Sequence, residues 1–199
     1  MNGKTSILVV VPALVTLVYV LVPAAAGQHV EIGGFGDYTN TSVTSFPQNA
    51  FGLGARIDIN MHRLLQAEFE TAYDVKHANF VLAASPGNAI LTESKLGILH
   101  LNGGLKLQTR GGSFFLFAKG GVNWYDPERT QTTISGMPIT TSFAAASPNS
   151  FTQAIFYPGG GIGFHAGPLG IRLDVGDEIY WSDKVHNNLR VTFGPTIRF

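Results

Sequence analysis

The sequence predicts an all-β chain, a closed antiparallel eight-stranded transmembrane β-barrel with up-and-down meander topology. Three observations carry that prediction. The last stretch alternates strictly, with Leu189, Val191, Phe193, Pro195, Ile197 and Phe199 on one face and Arg190, Thr192, Gly194, Thr196 and Arg198 on the other. The same period of two recurs along the chain in segments long enough to cross a bilayer at a tilt, which takes about 9–11 residues. The connections between segments alternate short and long, so the long ones gather at one end, as in the smallest membrane barrels.

Composition narrows the class further. Of 199 residues, 45% are hydrophobic, only 13% are charged and 24 are glycine, which is low in charge and rich in glycine for a soluble globule. Net charge is zero, so no basic face for nucleic acid is implied. The absence of cysteine removes disulfides, thiolate metal sites, cysteine nucleophiles and a lipid-modified amino terminus together. Met1 to Lys4 is short and polar, Ile7 to Val22 is nearly all apolar, and Ala24-Ala25-Ala26 supplies small residues for cleavage. We therefore expect residues 1–26 to be a cleaved signal peptide and residues 27–199 to be one barrel domain lying outside the cytoplasm.

The segments follow in order. Val30, Ile32, Gly34, Gly36 and Tyr38 oppose Glu31, Gly33, Phe35 and Asp37, and Thr39 to Asn49 reads as a loop. Phe51 to Met61 and Leu65 to Lys76 alternate about a tight turn and form a hairpin. His77 to Thr92, with Pro86-Gly87, is expected to be a longer loop. Leu99 to Gln108 and Phe114 to Trp124 are joined by a short turn, and Asp126 to about Ser150 is expected to be the longest loop. Gln153 to His165 turns at Gly167-Pro168 into Ile171 to Trp181, and the alternating carboxyl-terminal segment completes eight strands.

Gly194, Ile197 and Phe199 stand at a G-x-x-Φ-x-F spacing that resembles the assembly signal of bacterial outer-membrane barrels, although Phe193 occupies a position where a polar residue is preferred. With this motif and the strand pattern, essentially all of the mature chain resembles the outer-membrane β-barrel family typified by OmpA and OmpX. The resemblance implies a small closed barrel with a side-chain-filled interior, termini and short turns in the periplasm, and four loops outside. It implies outer-membrane lipid as surroundings, with barrel insertion machinery and periplasmic chaperones as partners during assembly. It does not imply one activity, since family members include anchors, adhesion and resistance proteins and lipid-modifying enzymes. The chain stops at Phe199, so a cell-wall-binding domain after the barrel is not carried over.

The inward register is expected to hold Glu31, Arg56, Asp58, Glu68, Glu70, Lys106, Lys119, Arg172, Asp174, Glu178, Arg190 and Arg198. Charges of both signs in a narrow lumen must pair, because an unpaired buried charge costs several kcal/mol. Tyr38, Tyr73, Trp124 and Trp181, with Phe51 and Phe156, fall where an interfacial girdle belongs. Asp177 lies in the lipid-facing register, tolerable toward the outer end or if a bulge re-aims it. Gly159-Gly160-Gly161 lacks the following helix and Lys-Ser/Thr of a phosphate loop, and suits a tightly curved strand.

None of the six histidines has a serine two residues on, no two show a metal spacing, and no nucleophile with base and orienting acid can be named. His100 and His165 are expected to be lumen hydrogen-bonders, with His77 and His186 solvated at loop bases. No catalytic residue, cofactor or metal is therefore expected. The favoured function is a non-enzymatic structural or surface-interaction barrel whose loop partner the sequence does not name. The alternatives are a lipid-modifying barrel enzyme, a narrow pore, or a soluble periplasmic binding barrel.

Overall fold

The computed structural model describes residues 30–41, 48–85, 88–109, 113–135, 140–144, 149–182 and 184–199, with backbone alone at 48, 77–85, 88–94, 128–135 and 140–144. The expected signal peptide lies outside these residues. The described elements are β1 (Val30–Thr41), β2 (Gln48–His62), β3 (Leu65–Ser85), β4 (Asn88–Gln108), β5 (Phe114–Ser135), β6 (Thr140–Ala144), β7 (Phe151–Ala166), β8 (Leu169–Trp181) and β9 (Val185–Arg198). Every pairing is antiparallel, and each barrel strand lies beside its neighbour in sequence once β6 is set aside. The β1–β9 pairing closes eight strands into a ring. Among the described residues β6 stays outside that ring and pairs with the far end of β5, from Thr130↔Ala144 to Ile134↔Thr140.

Three expectations change. The expected loop Thr39 to Asn49 is strand at both ends, paired through Thr39↔Ala50, Asn40↔Asn49 and Thr41↔Gln48. His77 to Thr92 is not a loop: among the described residues β3 and β4 continue as a paired hairpin through Ala83↔Ala89. Asp126 to Ser150 is likewise largely strand, with β5 running to Ser135 and β6 folded back on it. The connection between β8 and β9 spans only 182–184. The asymmetry between the two ends thus comes from strands prolonged beyond the barrel at least as much as from loops. At the other end, Gly167 takes φ 65° in the turn joining β7 to β8. A two-residue hairpin with positive φ first and negative φ second suits Gly followed by Pro168, whose ring fixes φ near −65°.

The burial pattern is that of a soluble protein turned inside out. Leu53 and Leu116 are 75% and 69% exposed, while Glu68, Asp174 and Arg190 are fully buried. Water on that exterior would face a contiguous apolar belt far larger than soluble monomers carry, whereas lipid solvates it at no cost. Cross-strand registers set Tyr38 beside Phe51, Leu53 beside Tyr73, Tyr73 beside Leu99, and Leu99 beside Trp124, placing aromatic rings around one rim of the belt. Asp177 pairs with Leu189 in an unshifted register, so no bulge re-aims it.

Candidate functional site

Eight strands leave an interior just wide enough for side chains to fill, and here the filling is ionic. All twelve charged residues of the expected inward set lie within the barrel, with only Arg198 substantially exposed. At the short-turn end Arg198 Nε donates to Glu31 Oε2 at 2.7 Å, and His165 Nε2 lies 3.4 Å from the same oxygen and 3.3 Å from Thr196 Oγ1. Lys106 Nζ donates to Asp58 Oδ2 at 2.6 Å.

The middle is organised by Arg172. Its guanidinium donates to Asp58 Oδ2 at 2.8 Å, to Glu68 Oε2 at 2.8 Å and, through Nε, to Asp174 Oδ1 at 2.7 Å. Glu68 sits on β3 and Arg172 on β8, opposite each other in the ring, so this pair ties the barrel across its diameter. Arg56 donates to Asp174 from the other side and to Thr192 Oγ1 at 2.9 Å. Lys119 bridges Glu68 and Glu70 at 2.6 and 2.7 Å.

Toward the end away from the termini Arg190 takes over. It donates to Asp37 Oδ2 at 2.9 Å, Glu70 Oε1 at 2.7 Å and Glu178 Oε1 at 3.1 Å. Glu178 also accepts from Asn123 Nδ2 at 2.7 Å and lies 3.0 Å from His100 Nδ1, while Asn102 Nδ2 donates to Glu70 at 3.2 Å. His186 is partly exposed and stacks on Tyr180 with ring centroids 4.7 Å apart. His77 has no described side chain.

Two classes of lumen residue escaped the sequence reading. Asp37 and Asp74 are buried within the barrel, and their parity with Glu31 and with Glu68 and Glu70 was the available signal. The second class is aromatic: Arg56 lies over Phe35 at 4.3 Å, Arg172 over Phe115 at 4.4 Å, and Lys119 over Phe117 at 4.3 Å. Such stacking stabilises a desolvated cation by about 2 kcal/mol. The inward glycines of β7 make room for these rings, since a Cβ on Gly159 or Gly161 would stand 2.4 Å from Phe117 or Phe115. Ala50, Leu96, Ile98 and Tyr125 form a buried apolar cluster toward the end of the barrel away from the termini.

No protein-family model and no curated protein sequence matches the chain. Among solved structures it is similar to Ail, the attachment invasion locus protein of Yersinia pestis, crystallised with the heparin analogue sucrose octasulfate. That match has 13% identity over 86% of this chain and 97% of that one, with a TM-score of 0.51. A second Ail crystal structure gives 0.50 at the same identity and coverage. The Yersinia pestis outer membrane protein Ail in a phospholipid bilayer nanodisc gives 0.45 at 15% identity, over 87% of this chain and 99% of that one. With the ring closure and inverted burial described above, the chain has the fold of the small eight-stranded outer-membrane β-barrels.

Proposed function

We propose that this chain is a non-enzymatic outer-membrane barrel with a plugged lumen, acting through the strand extensions it presents outside the membrane. The observation that carries this reading is the Arg172 contact set, which joins β8 to β2 and β3 across the interior. Its guanidinium occupies the space a water path would need. Outer-membrane lipid surrounds the apolar belt, the termini and short turns lie in the periplasm, and the prolonged β3–β4 hairpin and β5–β6 pair meet the surface partner. His100 faces Glu178 inside the barrel, away from lipid, which argues against lipid chemistry at that residue.

Two measurements test this. In planar bilayers the purified barrel is expected to be electrically silent, and regular ion-selective steps would replace the plug with a pore. The absence of cysteine gives a clean background for labelling topology. Asn149→Cys on intact cells is expected to react with a membrane-impermeant maleimide, and Thr109→Cys only after lysis. The opposite pattern would invert the orientation. Fractionation into the outer membrane with heat-dependent gel mobility is expected alongside.

A further inference from the structure

We propose that the outer third of the lumen holds a divalent transition-metal ion, bound by Asp37, Asp74 and His100. This goes beyond the plugged-barrel reading, which needs only ion pairs. One ligand atom from each residue lies within 4.8 Å of the others, and all three residues are buried. Neither carboxylate oxygen of Asp74 has a hydrogen-bond partner, nor has His100 Nε2, although both residues are fully buried. Their closest approach, Nε2 to Asp74 Oδ2, is 3.4 Å. Two ligands about 2.0–2.1 Å from a zinc ion at a tetrahedral angle stand roughly 3.3–3.4 Å apart, so the separation already suits a shared ion.

The surroundings are those of a metal ligand set. His100 Nδ1 lies 3.0 Å from Glu178 Oε1, the carboxylate–histidine arrangement that fixes a tautomer and points the other nitrogen at a metal. Arg190 holds Asp37 from one side, with Nε 3.1 Å from Oδ1 and 2.9 Å from Oδ2. Gly52 is the register partner of both Asp37 and Asp74. A Cβ there would stand 2.1 Å from Asp74 Oδ1, so the glycine leaves the carboxylate room to lean toward β1.

Charge decides between a proton and a metal. Asp37, Asp74 and Glu178 carry three negative charges, and Arg190 pairs with Asp37 and Glu178. With Arg190 counted, an extra proton on His100 cancels one of the two remaining charges and leaves the other buried without compensation. A divalent ion beside neutral imidazole cancels both. Two carboxylate oxygens and one imidazole nitrogen suit borderline Zn²⁺, or the harder Mn²⁺, rather than soft Cu(I).

The experiment uses untagged mature protein refolded into detergent with Zn²⁺, then freed of loose metal and checked for folding by heat-dependent gel mobility. One tightly held zinc per chain is expected in wild type and in Glu31→Gln, which sits at the far end of the lumen. Asp74→Asn and His100→Gln are expected to lose it, and Glu178→Gln to bind about 10–100-fold more weakly through misdirection of His100. Because these variants can fail to fold, ¹⁵N-histidine NMR on wild type supplies a second reading. Zinc is expected to shift His100 Nε2 while Nδ1 keeps its proton. Folded wild type without zinc, equal uptake by the folded variants, or a His100 imidazolium unchanged by zinc would each overturn the site.

Discussion

Replacing Arg172 with methionine is expected to lower barrel stability by an amount at the upper end of about 3–5 kcal/mol, the range for breaking a buried ion pair from one side. Arg172 donates to Asp58, Glu68 and Asp174. Lys106, Lys119 and Arg56 remain near those carboxylates, so the loss is bounded, but none of them spans the diameter as Arg172 does. Asp174→Ala removes the carboxylate shared by Arg56 and Arg172, breaking the ion pair of Arg56 while Arg172 keeps Asp58 and Glu68, and is expected to cost about 3–5 kcal/mol. Adding Glu68→Gln to Arg172→Met should recover part of the loss, because it removes one stranded charge. Urea unfolding in lipid vesicles measures all three. A pore behaves differently, since water would already screen these groups and the same substitutions would change ion selectivity with little effect on unfolding. Unchanged unfolding with altered conductance would reject the plug.

The faces of the barrel strands were legible because a period of two assigns each residue to lumen or lipid once one is known. That is why Glu68, Arg172 and Arg190 could be placed from spacing alone. The same rule points Phe115, Phe117 and Tyr157 inward. Apolar residues in a membrane barrel invite assignment to lipid, and their purpose shows only in the register that sets Phe117 against Gly159 and Phe115 against Gly161. The strand ends beyond the clean alternation were hidden for another reason. Around His77 to Thr92 and Asp126 to Ser135 the sequence does not alternate strictly between apolar and polar, so local spacing does not mark the pairing that joins Val81 to Leu91 or Ile90 to Thr133. The threonines of β5 favour strand by shape, a weaker signal than alternation. The Asp37, Asp74 and His100 grouping draws on three strands, and proximity across strands is not written in local spacing.

Deleting Phe199, or replacing it with Asp, is expected to abolish accumulation in the outer membrane while leaving refolding into detergent nearly normal. The barrel itself asks little of this side chain: the residue is 70% exposed, and its backbone N–H donates to Val30 O at 2.9 Å. That bond survives any side-chain change, so failure of Phe199→Asp in cells alone would mark a recognition defect in assembly. Gly194, in the same motif, has a structural task. The β1–β9 pairing runs on either side of Gly34-Phe35 and Gly194-Pro195 but not through them, because Pro195 has no N–H to donate. The two backbones crowd there, and a Cβ on Gly194 would stand 2.0 Å from Gly34 O and 2.6 Å from Phe35 Cα. Neither neighbour is a side chain that can swing away. Gly194→Val is therefore expected to block closure both in cells and in detergent, whereas the Phe199 variants fail only in cells. Normal outer-membrane yield of Phe199→Asp would remove the recognition role and leave the motif with the steric requirement at Gly194 alone.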